Sequence, residues 1–142
     1  MIDSGSDDKW VQGEGCKTCF EIKGKSSNFQ GSPTFRYLPC DYQLCVPKLC
    51  QSGHCVYDIR YLGSTAFDGV VSSDTFSFAT DYISIPNVVF VCGFESKNIN
   101  FGEYRGPNNI IAEVFGLGYG KRSILRQLDS QTNDLSSYCL PS

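Results

Sequence analysis

The sequence of 142 residues is poor in charged side chains and has no strong excess of either sign. Charged residues make up 19% of it, and the formal net charge is −3. So few charges are not typical of disordered proteins, and no basic patch favours nucleic acid. No apolar run approaches the length of a membrane span. These absences predict a folded domain that binds neither nucleic acid nor a membrane.

Histidine and the usual export signals are scarce as well. The single histidine, His54, leaves little room for a hydrolase built on Ser/His/Asp or Cys/His. The first residues show neither the charged region nor the apolar core of a signal peptide.

Cysteine, in contrast, is abundant. The chain has eight, and six of them lie between Cys16 and Cys55. This density favours an oxidising compartment and a disulfide framework, although spacing alone leaves the pairing open. The cysteines are typical of a secreted protein, but the sequence shows no export signal. Together these two observations indicate that the chain is a fragment. A zinc module is the alternative for Cys16-x-x-Cys19 with His54, but no second Cys-x-x-Cys pair supports it.

The periodicity predicts an all-β domain. From Cys55 to Tyr61, apolar Tyr57 and Ile59 alternate with charged residues, as in a half-buried strand. With a second strand at Val70–Phe78 it predicts a long hairpin. Further strands are predicted at Tyr82–Ile85, interrupted by Pro86, and at Val88–Cys92, Ile110–Gly116 and Ser136–Leu140. One short helix is predicted at Ser123–Gln131 with Ser123 as its cap, and Gly13–Gly53 is predicted to be irregular.

The run Asp3-Ser4-Gly5-Ser6 is the feature that indicates chemistry. Alone it is weak evidence, because Asp and Gly are common in turns for backbone reasons. It is followed in order by Trp10, the cysteine segment and a series of short motifs. These are Cys16-Lys17-Thr18-Cys19-Phe20, Leu38-Pro39-Cys40-Asp41, Cys55-Val56-Tyr57-Asp58-Ile59-Arg60-Tyr61, Ser73-Asp74-Thr75-Phe76-Ser77-Phe78, Val89-Phe90-Val91-Cys92-Gly93, Phe115-Gly116-Leu117-Gly118 and Ser137-Tyr138-Cys139-Leu140.

This series resembles the N-terminal lobe of the nepenthesin-like plant aspartic proteases, which are pepsin-type peptidases. The resemblance covers nearly the whole chain. It implies a pepsin-like single lobe, a partial β-barrel or sandwich with one short helix and a disulfide-rich irregular insertion. Residues 1–142 would form that lobe, truncated at its start, and the C-terminal lobe would be absent.

The resemblance also implies the chemistry. Two aspartates share a proton and hold a water molecule, so that one activates the water and the other polarises the scissile carbonyl. Asp3 would be the first aspartate, and Ser4, Gly5 and Ser6 would support it. Tyr61 would be the flap tyrosine with Trp10 packed behind it, and Val114-Phe115-Gly116 would thread beside the loop. Neither a cofactor nor a metal is implied.

The second aspartate is missing, because no other Asp is followed by Ser or Thr and then Gly. The chain is therefore predicted to be inactive alone and to cleave polypeptides only when joined to a second lobe. A dimer with two Asp3 carboxylates is a less favoured source of the pair. The alternative is a non-catalytic module like the xylanase inhibitors, with a glycoside hydrolase as partner.

The family pattern further suggests which cysteines pair. It implies bonds of Cys40 with Cys55, Cys45 with Cys50, and Cys19 with Cys92, which would leave Cys16 and Cys139 without partners. It also implies a secreted or vacuolar/apoplastic parent protein.

Overall fold

The chain folds around one mixed β-sheet of eight strands. The structure is a computed structural model that describes residues 1–60, 65–78, 83–99, 101–102, 104, 106–133 and 135–137. The sheet order is β1-β8-β2-β7-β6-β5-β4, and β3 pairs with β6. The prediction of an all-β domain is confirmed. The strands are β1 (Ile2–Asp3), β2 (Lys9–Gln12), β3 (Arg36–Tyr37), β4 (Cys50–Gln51), β5 (His54–Arg60), β6 (Ala66–Phe78), β7 (Ile83–Lys97) and β8 (Glu113–Gly116).

The long antiparallel pair of β6 and β7 forms the centre of the sheet. Val71 and Val91 lie opposite each other at its middle and are fully buried. The predicted interruption at Pro86 is wrong, because β7 runs through it without a break. The register between the two strands shifts between Asp74 and Phe76, opposite Pro86. A proline has no N–H to donate to a ladder, and such an irregularity is where a strand tolerates it.

Trp10 lies at the centre of the main hydrophobic core. Its ring is 4.2 Å from that of Phe67 and makes an edge contact with Phe20 at 6.0 Å. Because Trp10 belongs to β2 and Phe67 to β6, this contact ties the start of the chain to the central hairpin. The other buried members of the cluster are Leu38, Cys55, Tyr57, Val71, Val89, Val91 and Val114.

The predicted helix is present as two short pieces rather than one. They are α1 (Ile124–Gln127) and α2 (Asp129–Thr132). Leu128 separates them with φ −109° and ψ 19°. Ser123 caps α1 as predicted, since its hydroxyl accepts a hydrogen bond from the Leu125 amide. Among the described residues, none of the helices has the length and apolar character to cross a membrane.

The segment Gly13–Gly53 is irregular, as predicted, and contains only 3-10 turns and strands of two residues. Its disulfides are Cys16–Cys19, Cys40–Cys50 and Cys45–Cys55. This corrects the pairing that the family pattern suggests. The β4–β5 hairpin places Cys50 directly opposite Cys55. Cys50 bonds Cys40 and Cys55 bonds Cys45, each ten residues earlier in the loop that leads to the hairpin.

Cys92 is the second correction. It was predicted to bond Cys19, but it lies as a free thiol in the buried part of β7, 1% exposed, while Cys19 bonds Cys16. The backbone of Gly13 passes beside it, and a Cβ at that position would lie 3.2 Å from the Cys92 sulfur. Cys139 and most of the last predicted strand, Ser136–Leu140, lie outside the described residues, and residues 135–137 are not in a strand.

Candidate active site

The loop that contains Asp3 is held between two strands that flank β8. β1 runs parallel to β8, and Asp3 lies opposite Gly116. β2 runs antiparallel to β8 on its other side, with Trp10 opposite Val114. Residues 4–8 therefore connect two strands across the end of β8. This arrangement places Asp3 at the end of a strand, with its backbone fixed by the sheet and its side chain half-buried.

Both carboxylate oxygens of Asp3 accept hydrogen bonds from its own loop. The Gly5 amide donates to Oδ1 at 2.9 Å, and the Ser6 hydroxyl donates to Oδ2 at 2.5 Å. A Cβ at Gly5 would lie 3.3 Å from Oδ1, so glycine lets the backbone approach the carboxylate. Hydrogen bonds to both oxygens of a carboxylate fix its orientation. Ser4 is exposed in the same turn. The structure thus brings Asp3, Gly5 and Ser6 together.

The segment after β8 threads against this loop. The Leu117 amide donates to the Asp3 carbonyl at 2.8 Å, and the Gly118 amide donates to the Ser6 carbonyl at 2.9 Å. A Cβ at Gly116 would lie 2.6 Å from the Asp8 carbonyl oxygen. That neighbour is backbone and cannot rotate away, so only glycine fits. The segment Val114-Phe115-Gly116 therefore lies beside the Asp3 loop.

Trp10 and the two strands of the predicted flap hairpin belong to the described residues. Trp10 is 3% exposed, and its indole nitrogen has no hydrogen-bond partner among the described residues. β5 and β6 form the predicted hairpin, with Val56 opposite Val70 and Arg60 opposite Ala66. Its tip, residues 61–64, lies outside the described residues, and so does the predicted flap residue Tyr61.

A charged cluster beside the loop was missed by the sequence reasoning. Lys9 is 1% exposed, and its Nζ donates to the Arg122 carbonyl at 2.8 Å. Arg122 in turn donates two hydrogen bonds to the carboxylate of Asp8, from Nε at 2.6 Å and from NH2 at 3.1 Å. Both side chains of this pair are mostly buried, 18% and 15% exposed. The sequence offers no local signal for it, because the partners are more than a hundred residues apart.

The electrostatics of Lys9 follow from this position. The pKa of Lys9 is lowered from 10.5 to about 7, chiefly by burial, while the charge of Asp8 opposes the shift and that of Arg122 adds to it. The pKa of Lys9 therefore reports on the packing of the loop against the segment that contains Arg122.

A second buried carboxylate, Asp74, serves a different purpose. Its Oδ1 accepts hydrogen bonds from the hydroxyls of Ser32 and Thr34 and from the Thr75 amide. These contacts join the irregular segment to β6, so Asp74 is an anchor of the fold.

A zinc module finds no support in the arrangement of the cysteines. Cys16 and Cys19 bond each other, and no cluster of three metal-ligating side chains occurs among the described residues. Burial raises the pKa of Cys92, the free thiol among the described cysteines, to about 12, which leaves it protonated at neutral pH.

Comparison with known proteins gives the family of this chain. The family model described as "Xylanase inhibitor N-terminal" matches residues 1–142. The chain belongs to the xylanase inhibitor N-terminal family. The aspartic proteinases nepenthesin-2 and nepenthesin-1 of Nepenthes gracilis are each 34% identical to this chain, over 100% and 99% of its length. The aspartyl protease AED1 of Arabidopsis thaliana is 30% identical over 100% of this chain.

The curated relatives are much longer than this member of the xylanase inhibitor N-terminal family. The chain spans 30% of the length of each nepenthesin and 29% of that of AED1. Among solved structures, basic 7S globulin from soybean matches 93% of this chain and 36% of its own, with a TM-score of 0.54 and 16% identity. The predicted family and the predicted pepsin-like fold class are both confirmed.

Proposed function

We propose that this chain is the first-aspartate lobe of an aspartic-type endopeptidase. The observation that supports this best is the carboxylate of Asp3, whose two oxygens are fixed by the Gly5 amide and the Ser6 hydroxyl. A carboxylate held in this way keeps one orientation, as a water-activating base requires. The relatives that are named aspartic proteinases match over the same stretch.

The reaction needs a second carboxylate close to the first. Two carboxylates at that distance share one proton, and the resulting pair holds a water molecule between them. Asp3 would activate the water, and the protonated partner would polarise the scissile carbonyl of a polypeptide. In this proposal the partner comes from a second lobe, and the 142-residue chain alone is inactive. The parent protein would be secreted or vacuolar/apoplastic.

Each element around Asp3 has a role in this proposal. The threading of Leu117 and Gly118 would keep the backbone of the loop in place while the proton is exchanged. The hairpin of β5 and β6 would close over the substrate, and Trp10 would support it through Phe67. Neither role needs a metal or a cofactor.

The test is proteolysis by a polypeptide that contains this lobe together with a second one. We expect cleavage of denatured protein between roughly pH 3 and 5, where such a pair is singly protonated. Asp3→Asn should abolish it, whereas Asp41→Asn, which changes an exposed aspartate in the cysteine segment, should leave it intact. A two-lobed product that is folded and yet inert would contradict the proposal.

The family description supports a second candidate, a non-catalytic module that binds a glycoside hydrolase. It predicts micromolar or tighter binding to such an enzyme, equal for the natural chain and for Asp3→Asn. If proteolysis is absent and this binding is present, the second candidate replaces the first.

A further inference from the structure

We propose that Arg122 is a positioning residue that locks the Asp3 loop to the segment after β8 and links both to β5. This inference rests on the proposed function for its catalytic meaning, but its structural content can be tested without activity.

The first step concerns the segment that contains Arg122. Residues 117–123 lie between β8 and α1 and have no regular secondary structure. Their position therefore depends on the contacts they make with the Asp3 loop. Two of these are backbone contacts close to β8, from Leu117 and Gly118. Farther along, the Gly120 amide donates to the Asp7 carboxylate at 2.8 Å.

The second step is the contact that ends this series. The guanidinium of Arg122 makes two hydrogen bonds to the carboxylate of Asp8 and is mostly shielded from water. Two parallel bonds fix orientation as well as distance, which a lysine cannot reproduce. Because Asp8 follows Asp3 by five residues in the same loop, this pair fixes the far end of the loop.

The third step is the reach of Arg122 towards β5. Its guanidinium carbon lies 5.1 Å from the centre of the Tyr57 ring, in a cation–π arrangement. Tyr57 is buried in β5, three residues before that strand ends at Arg60. One side chain therefore contacts both the aspartate loop and the strand that leads into the tip of the hairpin.

The fourth step is the support of Arg122 itself. Its carbonyl oxygen accepts from Lys9 at 2.8 Å and from the Gln127 side chain at 2.6 Å. Gln127 also makes two hydrogen bonds to the backbone of Val89, at 2.7 Å and 3.0 Å. The backbone at Arg122 is thus tied to β2 and, through α1, to β7, so the guanidinium is presented from a fixed base.

The test compares hydrogen exchange, read by mass spectrometry, in the 142-residue chain and its variants. In Arg122→Ala we expect residues 3–8 and 116–123 to exchange about tenfold faster or more, while residues 66–78 and 83–97 change much less. Arg122→Lys should give an intermediate effect because it keeps the charge but loses the two-pronged contact. Lys17→Ala, which removes an exposed ion pair with Glu95, is the matched control and should leave both regions unchanged.

Two results would overturn the inference. One is a uniform rise in exchange over the whole sheet, which indicates a stability effect only, and the other is unchanged exchange in residues 3–8. If Arg122→Ala does not fold, Arg122→Lys gives the same comparison.

Activity then separates this inference from the proposed function. In a two-lobed polypeptide that cleaves substrate, Arg122→Lys should lower kcat several-fold with little change in KM, and an unchanged kcat would contradict positioning. If the two-lobed polypeptide is inert and the exchange pattern still appears, the positioning role stands and the proposed function fails.

Discussion

The stretch Asp3–Gln12, which contains the aspartate loop and β2, and the segment Gly13–Gly53 are neighbours in sequence, yet only the second has covalent cross-links. The first is held by backbone hydrogen bonds, by glycine contacts and by the pair of Asp8 and Arg122. The second also has backbone hydrogen bonds, such as that from the Leu38 amide to the Val71 carbonyl, and the hydroxyl contacts to Asp74. It adds three disulfides, of which Cys45–Cys55 ends in β5. The loop that bears chemistry therefore depends on packing and hydrogen bonds alone, whereas the irregular segment combines hydrogen bonds with covalent links.

This difference has a physical basis. An irregular segment has many conformations when unfolded, so a bond that restricts its unfolded state contributes more to stability than another surface contact would. A loop that presents a carboxylate needs a defined geometry, and hydrogen bonds provide direction as well as energy.

The largest effect should come from breaking the covalent side of this comparison. Replacing both Cys45 and Cys55 by Ser should lower the free energy of unfolding by about 3–4 kcal/mol, because the loop loses its closure and Cys55 is buried. The control is the double change of Cys40 and Cys50 to Ser, because their disulfide closes a loop of the same length. It should lower the free energy of unfolding by less, since neither residue is buried. Urea unfolding measures both, and equal costs would show that burial of Cys55 adds nothing.

The next largest effect should come from a substitution at Gly116, where the segment after β8 packs on the aspartate loop. Gly116→Ala places a methyl group against the backbone of Ser6, Asp7 and Asp8, and we expect a loss of about 2–3 kcal/mol of stability. The control is Gly53→Ala, where a Cβ meets nothing but the backbone has φ +82°, so its cost should be about 1 kcal/mol. Thermal unfolding gives both values. A Gly116→Ala protein as stable as the natural chain would mean that the loop is free to move away.

The third effect sharpens the comparison through pH. The folded-state pKa of Lys9 is lowered to about 7 from 10.5, so the unfolded chain binds more protons between these values. Stability should therefore rise with pH across this window and be lowest below pH 7. Lys9→Met removes this dependence. Between pH 7 and pH 9 the free energy of unfolding of the natural chain should therefore rise by about 2 kcal/mol relative to that of Lys9→Met.

Urea unfolding at several pH values tests this prediction. A constant difference between Lys9→Met and the natural chain would show that the amine titrates normally in the folded protein. Lys48→Met changes an exposed lysine and should show no such trend.

The smallest effect concerns Asp74, a polar anchor of the disulfide-linked segment. Ser32→Ala removes a hydrogen bond to Asp74 at 2.8 Å while the contacts from Thr34 and Thr75 remain. We expect a loss of about 1 kcal/mol in chemical unfolding. Ser26→Ala, at a half-buried site of the same segment, is the control, and an equal loss there would remove the special role of Asp74.

Local patterns predicted much of the fold and half of the site. The alternation in β5 and the cap at Ser123 involve residues a few positions apart, so spacing reports them directly. The roles of Asp3, Gly5 and Ser6 follow instead from the resemblance to the nepenthesin-like aspartic proteases. Lys9 and Arg122 are 113 residues apart, and their pairing depends on how β2 and the segment after β8 meet. The disulfides depend in the same way on the register of β4 against β5. Such contacts follow from the assembled sheet and leave no periodic trace in the sequence.

The buried thiol of Cys92 can report how often the centre of the sheet opens. At neutral pH a thiol with a pKa of about 12 is almost wholly protonated, and at 1% exposure no reagent can reach it. It becomes reactive only when β7 separates from its neighbours. In a chain with Cys139 replaced by Ser, the rate of Cys92 modification by a thiol-specific dye would report how often the centre of the sheet opens. That rate needs neither an enzymatic assay nor a denaturant.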